Sequence, residues 1–212
     1  MRKVKFVNGE FYHIFNRGVD KRNIVMDEKD SERFLQGLVE FNTREPIGSI
    51  YENSFLDKIK GKPLVNIICY CLNPNHFHLV LEQVVENGIS LFMKSVSLGY
   101  AKYFNNKYGR SGALFEGRFK VKHIDDNNYL LHTSAYVNLN DMVHRLGLPI
   151  SKLIRSSWRE YEENVSKGIC AKAIIQEQFD SSSEYCKFAL SNLPIMLQAK
   201  EDFRALSELF KE

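Results

Sequence analysis

The chain has 212 residues, of which 44% are hydrophobic and 26% are charged, the composition of a globular protein with room for one domain and an appendage. Its longest apolar stretches, such as residues 65–72, are too short to cross a bilayer, and no apolar segment follows Met1-Arg2-Lys3. We therefore expect neither a membrane protein nor an exported one. Four cysteines are too few for a disulfide framework at this length, which predicts a reducing, cytoplasmic location.

The net charge of +3 is unevenly distributed along the chain. Residues 126–212 hold 10 Lys and Arg against 12 Asp and Glu, which leaves 19 against 14 for residues 1–125. The excess positive charge of the first part favours a polyanionic partner there. An ordinary solvated surface would produce the same imbalance.

The first half of the chain alternates strand and helix patterns. Residues 11–15 form a short aromatic and β-branched run that ends at Asn16-Arg17-Gly18, which predicts a strand and a turn. Apolar residues at helical spacing predict a helix from about residue 29 to residue 41, and three lysines within residues 57–63 predict a basic loop. Buried strands are predicted for residues 65–71 and 76–83, joined by a turn at Asn73-Pro74-Asn75.

The second half begins with a predicted helix over residues 90–108, followed by a loop that enters a strand within residues 112–124. A further helix is predicted from Asp125 to Met142, with Asp125 or Asp126 as its N-cap. The pattern beyond Pro149 is helical and is interrupted at residues 181–183. This order predicts an α+β fold with helices on one face of a sheet. We divide it into a domain of residues 1–148 and a helical C-terminal extension of residues 149–212.

Two histidines on the second of the paired strands are candidate metal ligands. His76 and His78 are two positions apart, so in a strand their side chains project from the same face with Cα atoms about 6 to 7 Å apart. Two neutral imidazoles held in this way can bind one divalent cation. Two exposed or hydrogen-bonded histidines would give the same pattern.

Cys69 and Cys71 suggest a competing metal site. With a turn of residues 72–75, Cys71 would pair with His76 and Cys69 with His78, and the four side chains would suggest structural zinc. A turn shorter by one residue would place the cysteines on the opposite face. Structural zinc usually takes its ligands from tight loops, so we favour two buried structural cysteines.

Tyr136 and Asn140 are four residues apart on the predicted helix and therefore share one helical face. A phenol beside a metal-bound phosphate is a suitable nucleophile, because the ion offsets the charge that develops. The amide oxygen of Asn140 is a candidate third ligand of the kind that a hard cation prefers. The alternative is a tyrosine that packs at the edge of the core with its hydroxyl in water.

Together these motifs resemble the REP-associated tyrosine transposases and their insertion-sequence relatives, which are single-tyrosine HUH nucleases. The resemblance spans residues 10 to about 162 and rests on five segments in the family's order. They are the first strand and turn FYHIFNRGVDKR (11–22), the HUH segment NHFHLV (75–80), the strand LFEGRFK (114–120), the tyrosine helix YVNLN (136–140) and SSWREY (156–161). The chain departs from the family pattern at Asn138, where histidine is common, and at Asp141, where proline is usual. Neither departure removes a catalytic group.

The resemblance implies a ferredoxin-like antiparallel sheet with the histidines on a central strand and the tyrosine helix laid across it. It implies that His76, His78 and Asn140 bind Mg²⁺ or Mn²⁺ and that Tyr136 is the nucleophile. The activity implied is metal-dependent cleavage and rejoining of single-stranded or hairpin DNA through a 5′-phosphotyrosine. A homodimer is one arrangement found among the relatives.

Basic residues near these motifs are candidate phosphate contacts, namely Arg17, Lys21, Arg22, Arg118, Lys120 and Lys122. Each of them would equally suit a plain surface role. Two other classes stay open at this stage: a non-catalytic single-stranded nucleic-acid-binding protein derived from a transposase, and a structural domain stabilised by a metal at Cys69 and Cys71.

Overall fold

The computed structural model of the chain describes residues 4–45, 47, 50, 62–146, 150–165 and 167–209, with side chains to residue 202. Most of the predicted basic loop, residues 57–61, lies outside the described residues.

The chain forms the following elements, in order: β1 (Phe11–Arg17), α1 (Glu28–Glu40), β2 (Val65–Leu72), β3 (His76–Gln83), α2 (Gly88–Lys107), β4 (Lys120–Ile124), α3 (Asn127–Asn138), α4 (Asn140–Val143), β5 (Arg155–Ser156), α5 (Trp158–Glu162), α6 (Ala173–Gln176) and α7 (Ser182–Leu209), with 3₁₀ turns at Val19–Lys21 and Ile150–Leu153.

The five strands form one antiparallel sheet in the order β4-β1-β3-β2-β5. The first four strands, with α1 and α2 as their two crossing helices, have the β4-β1-β3-β2 order of a ferredoxin-like fold. The predicted fold class is therefore confirmed. Of these four strands, β1 and β3 are the central two, and each is hydrogen-bonded to a neighbouring strand along both edges. Both histidines, His76 and His78, lie on β3.

The register of the sheet decides which side chains share a face. Phe15 of β1 lies opposite His78 on one side and opposite Lys120 on the other. Arg17 lies opposite His76. Because cross-strand partners project from the same face, the two histidines and the basic residues of β1 and β4 point to the same side of the sheet.

Helices cover both faces of the sheet, and the prediction of one covered face is wrong. One core packs α1 and α2 against residues such as Ile14, Phe77 and Leu79. The second core packs α3 and α7 against the alternate residues of the same strands, such as Val80 and Cys71. A single strand pattern cannot distinguish these cases, because a strand buried on both faces loses the alternation that marks an exposed side.

The N-terminus of α1 is fixed by a buried carboxylate. Asp27 caps the helix through the backbone of Asp30, and Asp30 in turn accepts hydrogen bonds from Met26 and Asp27 backbone amides. Asp30, which is fully buried, also accepts from Lys107 Nζ (2.7 Å) and Tyr108 Oη (2.8 Å) of the α2 end. A buried carboxylate with so many donors ties the two helices of the first core together.

The predicted helix from Asp125 to Met142 is divided in the structure. Asp126 is its N-cap, accepting from the backbone of Tyr129, but α3 ends at Asn138. Leu139 has φ −102° and ψ 15°, and α4 starts at Asn140. The nucleophile candidate Tyr136 and the ligand candidate Asn140 therefore lie on two short helices and not on one.

The residues after α4 extend the sheet along the edge of β2 that does not pair with β3. β5 pairs with β2 at Cys71 and Leu72, and the backbone amide of Ala171 donates to the carbonyl of Ile67 (2.8 Å). The serines of residues 181–183 do not interrupt a helix, since α7 begins among them and Ser181 Oγ accepts from the Glu184 amide. The boundary at residues 148 and 149 remains a prediction. Across the described parts of the chain, every helix is too short or too polar to span a bilayer.

Candidate active site

The two histidines of β3 lie side by side at the centre of the sheet. Their ring centroids are 5.2 Å apart, and the rings are almost perpendicular, at 89°. The turn of residues 73–75 places His76 at the first position of β3. Gly18 holds this turn against the end of β1, because its backbone amide donates to the Asn75 carbonyl (2.8 Å). A side chain at this position would not fit, since a Cβ at Gly18 would lie 2.2 Å from the Arg22 carbonyl oxygen.

The hydrogen bonds of His76 define which nitrogen carries its proton. Nδ1 lies 2.6 Å from Asn75 Oδ1, which can only accept, so Nδ1 is the protonated nitrogen. Nε2 then keeps its lone pair and accepts from Asn73 Nδ2 (3.0 Å). Burial lowers the pKa of His76, the Asn140 side chain raises it in part, and the charges of Lys200 and Arg17 lower it further. His76 is therefore a neutral imidazole whose lone pair lies on Nε2, where the Asn73 amide now contacts it.

His78 is buried and is paired with a third histidine. Its Nδ1 lies 2.8 Å from Nε2 of His13 on β1, with the ring centroids 5.1 Å apart. Burial lowers the pKa of His78 well below 6.5 and that of His13 to about 4, so both are neutral near pH 7. The pairing fixes the orientation of the His78 ring.

Tyr136 faces the histidine pair. Its ring centroid lies 5.6 Å from that of His78, edge to face at 85°, and 6.2 Å from that of His13. The side chain is half-buried. Burial raises the pKa of Tyr136, and the Asn140 side chain offsets part of this rise. The phenol is therefore protonated near neutral pH and must lose its proton when it reacts.

Asn140 is fully buried beside His76. Its Oδ1 lies 3.2 Å from His76 Nε2 and accepts a hydrogen bond from Asn73 Nδ2 (2.7 Å). Its Nδ2 is buried and has no hydrogen-bond partner among the described residues. An unpaired buried donor is costly, so this amide group is suited to an acceptor that is supplied from outside the protein.

His76, His78 and Tyr136 line one pocket of about 460 Å³. It is lined by Phe15, Asn16, Arg17, Lys21, Asn75, His76, His78, Lys120, Tyr136 and His144. A neighbouring pocket of about 680 Å³ shares His78, Tyr136 and His144 and is closed on its far side by α7, including Met196 and Lys200.

The six predicted DNA contacts are all exposed, but they are not all at this pocket. Arg17, Lys21 and Lys120 line it, and Lys122 lines the neighbouring pocket. Arg22 and Arg118 line other depressions of the surface. Arg17 is held by a bidentate ion pair with Glu116, whose second contact, Nη2 to Oε1, is 3.0 Å.

The cysteines take neither of the two registers considered above. Cys71 lies opposite His78 and Cys69 opposite Val80, in the register that begins with Leu72 opposite Phe77 next to the turn. Both cysteines are buried, and burial raises the pKa of both thiols. Within the described ranges, no three His, Cys, Asp or Glu side chains are grouped so that they could hold a metal ion.

Asn138, one of the two departures from the family pattern, is a structural residue. Its Nδ2 donates to Tyr185 Oη (2.8 Å) on α7, and its Oδ1 accepts from Ser157 Oγ (2.6 Å). Asn138 thus joins the tyrosine helix to the C-terminal extension through two buried hydrogen bonds.

Sequence reasoning missed three residues at the site: His13, Asn73 and His144. His13 is part of the FYHIF strand, but its pairing with His78 depends on the β1–β3 register. Asn73 precedes the His-x-His segment by three residues, and that proximity was an available signal. The ring of His144 lies 4.7 Å from that of His76, four residues after Asn140, at the same helical spacing that relates Asn140 to Tyr136.

Comparison with known proteins adds a family and a fold. Residues 12–140, more than half of the chain, match the sequence profile of the family described as "Transposase IS200 like". No curated protein matches the chain. A solved structure of a REP-associated tyrosine transposase bound to a REP hairpin is 13% identical with a TM-score of 0.54, and the match covers 80% of this chain and 88% of that one. A crystal structure of a candidate transposase from Deinococcus radiodurans R1 is 15% identical with a TM-score of 0.39, covering 68% and 97%.

Proposed function

Because the chain belongs to the IS200-like transposase family, we propose that it is a single-strand DNA nuclease and strand-transferase that works through a 5′-phosphotyrosine at Tyr136. One observation carries the proposal: the phenol of Tyr136 faces His76 and His78 across a single pocket that Asn140 adjoins. The three parts come from β3, α3 and α4. The fold itself brings together residues some sixty positions apart.

A divalent cation, Mg²⁺ or Mn²⁺, would be held by His76, His78 and Asn140. These residues fit such an ion, because His76 offers a neutral nitrogen lone pair beside the Asn140 oxygen. When bound, the ion would offset the negative charge that develops on the scissile phosphate. The unpaired Nδ2 of Asn140 would donate to an oxygen of the substrate.

Tyr136 supplies the covalent step. Its phenolic oxygen loses its proton and forms a bond to phosphorus, while the bond from phosphorus to O3′ of the neighbouring nucleotide breaks and that oxygen takes up a proton. The product is a 5′-phosphotyrosine and a free 3′-hydroxyl. Attack by another 3′-hydroxyl reverses the reaction and joins strands. The number of phosphoester bonds is conserved, so neither step requires an external energy source.

The exposed cations around the pocket would bind the DNA backbone. Arg17, Lys21, Lys120 and Lys122 surround Tyr136 on the face of the sheet that carries the histidines. Neutralised phosphates release counterions, so affinity would fall as salt rises. The REP hairpin in the structure of the similar transposase makes hairpin-forming single strands the first substrates to test.

The decisive experiment incubates the protein with Mn²⁺ and 5′- or 3′-labelled hairpin oligonucleotides and then separates denatured products. We expect a covalent adduct that carries the 3′ label and disappears in Tyr136→Phe. Tyr129→Phe is the matched control, because Tyr129 lies two turns earlier on α3 and lines only the neighbouring pocket. An adduct that persists in Tyr136→Phe would refute the assignment. DNA binding without any adduct, in Mn²⁺ or Mg²⁺, would favour the non-catalytic binding protein.

A further inference from the structure

Asn73 lies at the centre of the polar contacts behind the pocket. It occupies the turn between β2 and β3 and is completely buried. Its Nδ2 is 3.0 Å from His76 Nε2 and 2.7 Å from Asn140 Oδ1. One amide group therefore contacts both atoms that the proposed cation would use.

In its present orientation, the side-chain amide of Asn73 would interfere with cation binding. The lone pairs of His76 Nε2 and Asn140 Oδ1 now receive hydrogens of the Asn73 amide. A cation would take those same lone pairs, and the amide hydrogens would then face a positive ion. The opposite end of the amide is weakly held, because among the described residues Asn73 Oδ1 accepts only from the Cys71 thiol, at 3.8 Å. Rotation of the terminal amide exchanges its oxygen and nitrogen, and contacts to the ion would replace the two hydrogen bonds that the rotation breaks.

The spacing of the three atoms is that of neighbouring ligands. Their mutual distances are 2.7, 3.0 and 3.2 Å. Two ligands at right angles around an ion with bonds of 2.1 Å are about 3.0 Å apart, which is the octahedral arrangement that Mg²⁺ demands. An amide oxygen in the place of Asn73 Nδ2 would complete one face of such a polyhedron.

We propose that Asn73 is a further protein ligand of the cation, binding through Oδ1 after its side-chain amide rotates. The proposal rests on the proposed function, because it concerns the same ion. It also supplies the second amide oxygen to a site in which the described residues offer no carboxylate or thiolate cluster. Hard divalent cations prefer oxygen ligands of this kind.

The test measures Mn²⁺ affinity by calorimetry and by the electron paramagnetic resonance signal of the free ion, without DNA. Asn73→Asp keeps the size of the side chain and offers only oxygens, so it should bind Mn²⁺ at least as tightly as the parent protein. Asn73→Leu removes the oxygen and should weaken binding on the order of tenfold or more. Unfolding temperatures in EDTA and in Mn²⁺ check the fold, and Mn²⁺ should raise that of Asn73→Asp by more than that of the parent.

The opposite hypothesis is that Asn73 only donates hydrogen bonds that position His76 and Asn140. Asn73→Asp would then place an anionic acceptor against two acceptors, and Mn²⁺ binding would weaken as it does in Asn73→Leu. Either that result or an unchanged affinity in Asn73→Leu overturns the proposal. His76→Ala separates this failure from that of the proposed function: unchanged Mn²⁺ binding in His76→Ala would reject the metal site as a whole.

Discussion

Acidification should destabilise the metal-free protein through the buried histidine His13. Burial, followed by the charge of Lys122, lowers the pKa of His13 to about 4 in the folded chain, against 6.5 for an unperturbed histidine. Between these values the unfolded chain binds a proton that the folded chain does not. The free energy of unfolding therefore falls as the pH drops through 6.5, and the loss is complete below about pH 4.

The magnitude follows from the displacement of the pKa. A difference of about 2.5 pH units corresponds to about 3 kcal/mol, of which roughly 2 kcal/mol is lost between pH 7 and pH 5. The side chain is only 7% exposed, so water screens its charge little. His78 is displaced in the same direction and adds to the effect.

The assay is urea unfolding in EDTA at pH 7 and pH 5, for the parent chain and for His13→Gln. Glutamine cannot titrate, but it can still form a hydrogen bond with His78. The variant should lose less stability on acidification than the parent, with the difference close to the His13 contribution, and the denaturant slopes should agree. Equal losses in the two proteins would mean that His13 is not held neutral by burial, and the reasoning would fail.

Three further outcomes are expected. Asn138→Ala should lower the free energy of unfolding by about 3 kcal/mol, because it removes two buried hydrogen bonds and leaves a cavity; a loss below 1 kcal/mol in urea unfolding would contradict this. Asp30→Ala should cost about 3 kcal/mol in the same assay, since it leaves Tyr108 Oη and the Met26 amide without their acceptor, and an unchanged midpoint would argue against the network. Lys120→Ala and Lys122→Ala should each reduce by about one the slope of log affinity for single-stranded DNA against log salt, measured by fluorescence anisotropy; unchanged slopes would remove them from the interface.

The parts of the fold that could be predicted are those encoded locally. The two strands around Asn73-Pro74-Asn75 follow from apolar runs on either side of a turn, and the shared face of His76 and His78 follows from the two-residue period of a strand. The N-cap at Asp126 was also predictable, because a short acceptor side chain precedes the apolar helical pattern.

The parts that could not be predicted depend on distant partners. The division of the tyrosine helix at Leu139 accompanies the burial of Asn138 against Tyr185 and Ser157, which are 47 and 19 residues away. The pairing of His13 with His78 requires the register between β1 and β3. The pairing of Cys71 with His78 depends on how the turn between β2 and β3 closes, and no pattern in the sequence marks that register.

α7 lines the pocket next to Tyr136 through Met196 and Lys200. A chain that stopped before residue 182 would open this side of Tyr136 to solvent, and Asn138 would lose its partner Tyr185. The C-terminal residues therefore shape the surface beside the tyrosine and are more than an appendage to the sheet.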